Sequence, residues 1–178
     1  MTPQASLQQA IHEEVALLPY DPAWPALFEA ERQRLASLFP LQLLDIQHIG
    51  STAMPGMLAK PIIDILAGVA SMAVADALVG PLLQSSYTTS AEFNATLSER
   101  RWFMRWDQGR RTHHLHLVVL GESEWRRRLY FRDRLRADPV LAQSYAVLKQ
   151  DLAARHGADR EAYTQAKTAF VLAVVAAT

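Results

Sequence analysis

Apolar residues recur at helical spacing at both ends of the chain and in short continuous or alternating runs in the middle. Ser6 is placed to cap a first helix running to about Leu18, with Ile11, Val15 and Leu18 on one face, and Pro19-Tyr20-Asp21-Pro22 ends it. A second helix starts near Trp24-Pro25 and runs to Leu38. Leu27, Phe28, Leu35 and Leu38 form its apolar stripe, and Glu29, Glu31, Arg32 and Arg34 mostly its wet side. Leu43 to Ile49 and Pro61 to Val69 read as strands, the second nearly continuous in Ile and Leu and therefore central. Ser71 is placed to cap a helix through Val79, ended by Gly80-Pro81, and Tyr87 to Phe93 is a further strand candidate. Arg101 to Trp106, the turn Asp107-Gln108-Gly109 and Thr112 to Leu120 carry a hairpin signal. After Gly121 the spacing is helical again, predicting helices over Ser123–Arg136, Pro139–Arg155 and Arg160 to the C-terminus. The order predicts an α+β fold, a mixed β-sheet with helices packed on it and a C-terminal helical segment on one face.

Composition narrows the class. The 178 residues are half hydrophobic and no linker-like tract divides them, so residues 1–178 read as a single domain. The absence of cysteine excludes disulfides and thiolate metal sites and fits a reducing compartment. The N-terminus has no basic flank and meets Glu13-Glu14 early, and the apolar run Ala169–Ala177 is too short to span a bilayer. The expectation is a cytoplasmic protein without a membrane partner.

Net charge is zero, but residues 1–98 hold three basic and nine acidic side chains and residues 99–136 hold eleven Arg against five acids. A neutral chain with one Arg-rich segment argues against general nucleic-acid binding. It suits a small phosphorylated ligand or nucleotide, which the planar guanidinium recognises well.

The most informative stretch is HIGSTAMPGMLAKPIIDIL, from His48 to Leu66. A strand ends at Gly50-Ser51, a small-residue loop with a Pro55-Gly56 breaker follows, and Lys60-Pro61 opens a second strand carrying Asp64. Glycine admits close approach to the backbone, the serine hydroxyl and neighbouring N–H groups can donate to phosphate oxygens, and a carboxylate nearby can hold a divalent cation. The spacing is not that of a P-loop, because Met57-Leu58 follows Gly56 where Lys-Ser/Thr would be needed, and no Gly-x-Gly-x-x-Gly occurs.

Gly-Ser followed by Asp on the next strand resembles the signature of polymerase-β-like nucleotidyltransferases, and the whole stretch is similar to the defining segment of the GrpB family. Tyr20-Asp21-Pro22-Ala23-Trp24, Thr112-His113-His114-Leu115-His116, Phe131 to Arg136, and the Tyr145/Lys149 and Tyr163/Lys167 tail extend the likeness over roughly residues 20 to 170. The resemblance implies a nucleotidyltransferase-like fold and a phosphate-binding heritage. Family members fused to dephospho-coenzyme A kinase associate it with coenzyme A or nucleotide metabolism. One departure matters. Nucleotidyltransferases carry Asp-x-Asp or Asp-x-Glu on this strand, whereas here Ile62 and Leu66 flank Asp64 at the positions sharing its face. The two-metal mechanism therefore lacks one carboxylate.

Candidate residues follow. Asp64, His114 and His116 are the catalytic candidates and equally the metal candidates: alternation puts both imidazoles on one face with His113 on the other. Imidazole would favour Zn, Mn or Fe over Mg as the divalent metal. The alternative is a structural carboxylate with a structural partner. His48, Gly50, Ser51, Thr52, Lys60, Arg101 and Arg111 are the phosphate or nucleotide candidates, His48 being equally readable as a packed strand histidine. Arg132 lies on a helix read as solvated and ion-paired, and Lys149 and Lys167 as helix residues with their tips in water. Three functions remain: a nucleotide- or phosphoester-binding protein transferring a nucleotidyl or phosphoryl group with a divalent metal; a non-catalytic nucleotide or coenzyme A-related binding module that lost the carboxylate pair; and a metal-dependent hydrolase using the His pair.

Overall fold

β2 (Ile63–Val69) is an interior strand of the sheet, and its apolar run is buried throughout except at Asp64. Such a strand needs cover on both faces and neighbours on both edges. It has antiparallel β1 (Asp45–Ile49) on one side and parallel β5 (Arg110–Val119) on the other. β4 (Arg100–Asp107) and β3 (Tyr87–Thr88) complete a five-stranded mixed sheet in the order β1-β2-β5-β4-β3. The computed structural model describes residues 5, 8–9, 16–156 and 160–176, and the architecture is α+β.

One face is covered by α1 (Trp24–Leu38), α2 (Met72–Ala77) and α3 (Val79–Gln84), with Trp24, Leu35, Ile46, Ile63, Ile65, Phe103, Leu115 and Leu117 in the shared core. On the other face Ile49, Leu66 and Val118 lie under Trp125 of α5 (Ser123–Ala137). Two long helices, α6 (Pro139–His156) and α7 (Arg160–Ala176), pack on α5 and on the loop after β1. Their cluster contains Met54, Met57, Leu135, Tyr145, Ala146 and Val174. Arg132 is no solvated side chain: it donates to Gln47 Oε1 (2.9 Å) and to the His48 carbonyl (3.1 Å), tying α5 to β1.

Most of the expected helix over residues 6–18 lies outside the described residues. At its end Leu18 is not helical but exchanges two backbone hydrogen bonds with Ala59 (2.8 and 2.9 Å). Gly80-Pro81 does not end a helix. It falls in the first turn of α3, where proline's missing N–H has no intrahelical acceptor to lose. The strand expected over Tyr87–Phe93 stops at Thr88, because Ser90 Oγ accepts from Phe93 N and starts α4 (Ala91–Ala95). The hairpin is as read, with Gln108 and Gly109 both at positive φ in the turn that suits twisted strands. Glu31, assigned to a wet face, is 3% exposed. It accepts from Arg34 (2.7 and 2.9 Å), from the Tyr87 hydroxyl (2.7 Å) and from Arg105, joining α1 to the sheet edge.

Among the described residues no helix is long and apolar enough to cross a membrane.

Candidate functional site

The parallel register of β2 and β5 sets Asp64 beside His114 and Leu66 beside His116. Because strand side chains alternate, Asp64, His114 and His116 share the face under α5, and His113 faces α1. Only one of the two imidazoles reaches the carboxylate. His114 Nδ1 donates to Asp64 Oδ1 at 3.0 Å, while His114 Nε2 is buried with no hydrogen-bond partner among the described residues. Burial pushes the Asp64 carboxyl up, but His114, Lys167 and His48 outweigh it and hold it below its usual value.

His116 is occupied differently. Its Nδ1 accepts from Arg100 Nη1 at 3.0 Å. Burial, with Arg128 and Arg100 adding to it, holds the imidazole well below its ordinary pKa, so it is neutral. A nitrogen already bound to a guanidinium is a poor cation ligand. Among the described residues no group of three or more His, Asp or Glu converges to hold a metal ion. The set Asp64, His114 and His116 therefore does not fit a resident metal.

Asp64 also explains Gly50. The glycine has φ +72°, and a Cβ there would lie 3.0 Å from Asp64 Cβ and Cγ. Only glycine lets the turn fold directly against the carboxylate. Beyond it Ser51–Ala53 form one 3₁₀ turn. Thr52 is 1% exposed: its hydroxyl donates to the Ile62 carbonyl (3.4 Å) and lies 2.9 Å from His48 Nε2. His48 stacks on Phe28 of α1 with ring centroids 4.6 Å apart, and burial lowers its pKa to about 4. His48 and Thr52 thus hold the turn from the opposite side of the sheet. Arg136 clamps it too, donating twice to the Ala53 carbonyl (2.9 and 2.7 Å).

The C-terminal helices supply what the sequence reading assigned to solvent. Lys149 is 2% exposed, and its Nζ donates to Ser51 Oγ (2.9 Å) and to the Leu58 carbonyl. Its burial, with the charge of Lys167 adding to it, lowers the amine to about 7. The Tyr145 hydroxyl interacts with Ser51, and burial raises its pKa. Lys60 Nζ lies 4.5 Å and Lys167 Nζ 4.6 Å from the ring centroid of Tyr163, which is 1% exposed. Lys60, Ser51, Asp64 and His114 are all partly exposed.

The structure thus brings together Gly50, Ser51, Lys60, Asp64 and His114. It does not bring Arg101, which is on the α2 face and bound to Asp76 (2.6 Å) and the Leu97 carbonyl (2.7 Å). Arg111 is 4% exposed, its guanidinium against Met104 Sδ (3.8 Å) and near the Trp106 ring. Clefts of about 530 and 490 Å³ flank residues 54–58, and neither is lined by Asp64 or His114. The one signal for Lys149 and Lys167 was the repeated Tyr-x-x-x-Lys spacing, which puts ring and amine on a common helical face.

The family model described as GrpB protein matches residues 14–177. The chain belongs to the GrpB family. The GrpB crystal structure from Enterococcus faecalis is similar with a TM-score of 0.80 and 35% identity, covering 91% of this chain and 96% of that one. The UPF0157 protein YqkA of Bacillus subtilis is 37% identical over 158 residues, 89% of this chain but 45% of its own length. A Mycolicibacterium paratuberculosis protein named dephospho-CoA kinase is 33% identical over 185 residues, 91% of this chain and 45% of its own length. The chain thus spans under half the length of these two longer relatives.

Proposed function

We propose that this GrpB-family chain has a nucleotidyltransferase-like fold and binds a nucleotide or related phosphoester at the Gly50–Ser51 turn, for phosphoryl or nucleotidyl transfer. The observation carrying the reading is the gathering of three lysines from two helices and a loop. Lys149 from α6 lies on Ser51, and Lys60 before β2 and Lys167 from α7 lie on Tyr163. Amines gathered around one hydroxyl and a tyrosine suit an anion with several oxygens. The Asp64–His114 pair borders the same turn, and the imidazole Nε2, without a hydrogen-bond partner among the described residues, is assigned to polarise a reacting group. The dephospho-CoA kinase name of a longer relative supports a nucleotide or coenzyme A-related ligand.

Titration calorimetry against nucleotides, dephospho-coenzyme A and simple phosphate monoesters tests this. Wild type is expected to bind at least one of them, and Lys60→Ala with Lys167→Ala to weaken it at least about tenfold. No heat of binding across the panel removes the reading.

The binding module without turnover is favoured by one observation: β2 offers Asp64 alone, with Ile62 and Leu66 both buried. Binding without consumption of any ligand would select it.

A further inference from the structure

Lys149 is an enclosed lysine. It is 2% exposed, and among the described residues it forms no ion pair with a carboxylate. Its nitrogen is held by the Leu58 carbonyl and lies 2.9 Å from a partly exposed serine hydroxyl. A methionine would fill the space without the cost of burying an amine, so the polar atom invites a chemical explanation. The groups facing it are Ser51 from the turn, Tyr145 from its own helix, and Lys167 from α7, with Asp64 and Lys60 beyond.

We propose that Ser51 is a phosphoryl acceptor and Lys149 the general base that activates it. The inference rests on the phosphoester reading above and names the atom that reacts. In its neutral form the amine keeps one N–H on the Leu58 carbonyl and turns its lone pair to Ser51, whose O–H then donates to it. Ser51 Oγ bonds to the phosphorus of a phosphate monoester as its proton passes to Lys149 Nζ. The P–O bond to the alcohol breaks, the oxygen leaves with the electron pair, and it takes up that proton. Water then attacks the phosphoserine, Oγ leaves with the bonding pair and regains a proton, and inorganic phosphate is released. Ester and water have become alcohol and phosphate, with no further reactant. Lys60 and Lys167, which lie over the Tyr163 ring, would balance the phosphoryl charge in place of the enclosed amine. The burial that brings Lys149 to about 7 puts it where a base works best at neutral pH.

The test uses 4-nitrophenyl phosphate with the full chain. Wild type is expected to release nitrophenolate in a stoichiometric burst and to gain one phosphoryl mass on the peptide containing Ser51. The burst rate should rise with pH through an inflection near 7. Ser51→Ala should give neither burst nor mass. Lys149→Met should label at least about 100-fold more slowly and lose the inflection. Because Lys149→Met can fail to fold, Lys149→Arg, which keeps the cation and cannot act as a base, is the second variant, and it should be as slow. Calorimetry with the same ester separates the two levels. Binding to wild type without label on Ser51 overturns the nucleophile and leaves phosphoester binding standing. No binding overturns both. Label on Ser51 at an unchanged rate in Lys149→Arg overturns the base, and label on another residue overturns Ser51.

Discussion

Replacing Lys149 by methionine tests the burial on which the site depends, independently of any ligand. In the unfolded chain the amine titrates near 10.5, and in the folded chain at about 7. Between these values the unfolded state holds a proton that the folded state has given up, so raising the pH favours folding. The full difference corresponds to roughly 4–5 kcal/mol. Between about pH 7 and about pH 9 the linkage adds roughly 2 kcal/mol of stability for this one group. Lys149→Met lacks that increment. It also strips the Leu58 carbonyl and Ser51 of a donor, a loss of about 1–3 kcal/mol that does not depend on pH. The level of stability is therefore ambiguous and the slope is not. Urea denaturation of both proteins at the two pH values gives the slope, since every other titrating group is shared. Wild type should gain about 2 kcal/mol more than the variant across the interval. Parallel pH profiles would refute the buried amine.

Gly50→Ala places a Cβ against Asp64 at a φ of +72°. It should cost at least about 1–2 kcal/mol in urea denaturation and shift the His114 imidazole resonances. His48, lowered by burial to about 4, makes wild type lose up to about 3 kcal/mol as pH falls from about 6.5 to about 4, because the unfolded imidazole is protonated first. His48→Gln removes that share of the acid sensitivity, read as the difference between two acid titrations followed by circular dichroism. Glu31→Ala leaves Arg34 and Arg105 without their carboxylate and Tyr87 without its acceptor, and should cost about 3 kcal/mol by chemical denaturation. Arg136→Met frees the Ala53 carbonyl, costs about 1.5–3 kcal/mol and weakens phosphoester binding in calorimetry by loosening the Ser51 turn.

Much of the sheet was legible because β2 and the hairpin announce themselves locally, one by an unbroken apolar run and the other by alternation around Gln108-Gly109. Parity alone separated His113 from His114 and His116. It could not say which imidazole meets Asp64, because that depends on the parallel register of β2 against β5, strands nearly fifty residues apart. The Tyr87–Phe93 strand and the Gly80-Pro81 stop failed for a related reason. Ser90 and Pro81 serve equally as breakers or as helix starters, and the tertiary setting decides. Lys149 was misread because a helical lysine is normally wet, and only the docking of α6 on the turn after β1 encloses it.

Three lysines in three settings would let the proposed site combine anion binding with a neutral amine. Lys60 and Lys167 lie over the ring of Tyr163 with partly exposed side chains. Lys149 has the same functional group but sits behind Ser51, enclosed by Tyr145 and the Leu58 carbonyl, with the charge of Lys167 opposing a second cation. Charge on Lys167 therefore helps keep the inner amine neutral, and the two roles are coupled. Lys167→Ala should raise the Lys149 pKa toward its ordinary value as well as weaken anion binding. The pH inflection for Ser51 labelling should then move upward while the protein remains folded. An inflection that stays near 7 in Lys167→Ala would mean that the outer lysine acts on the ligand alone.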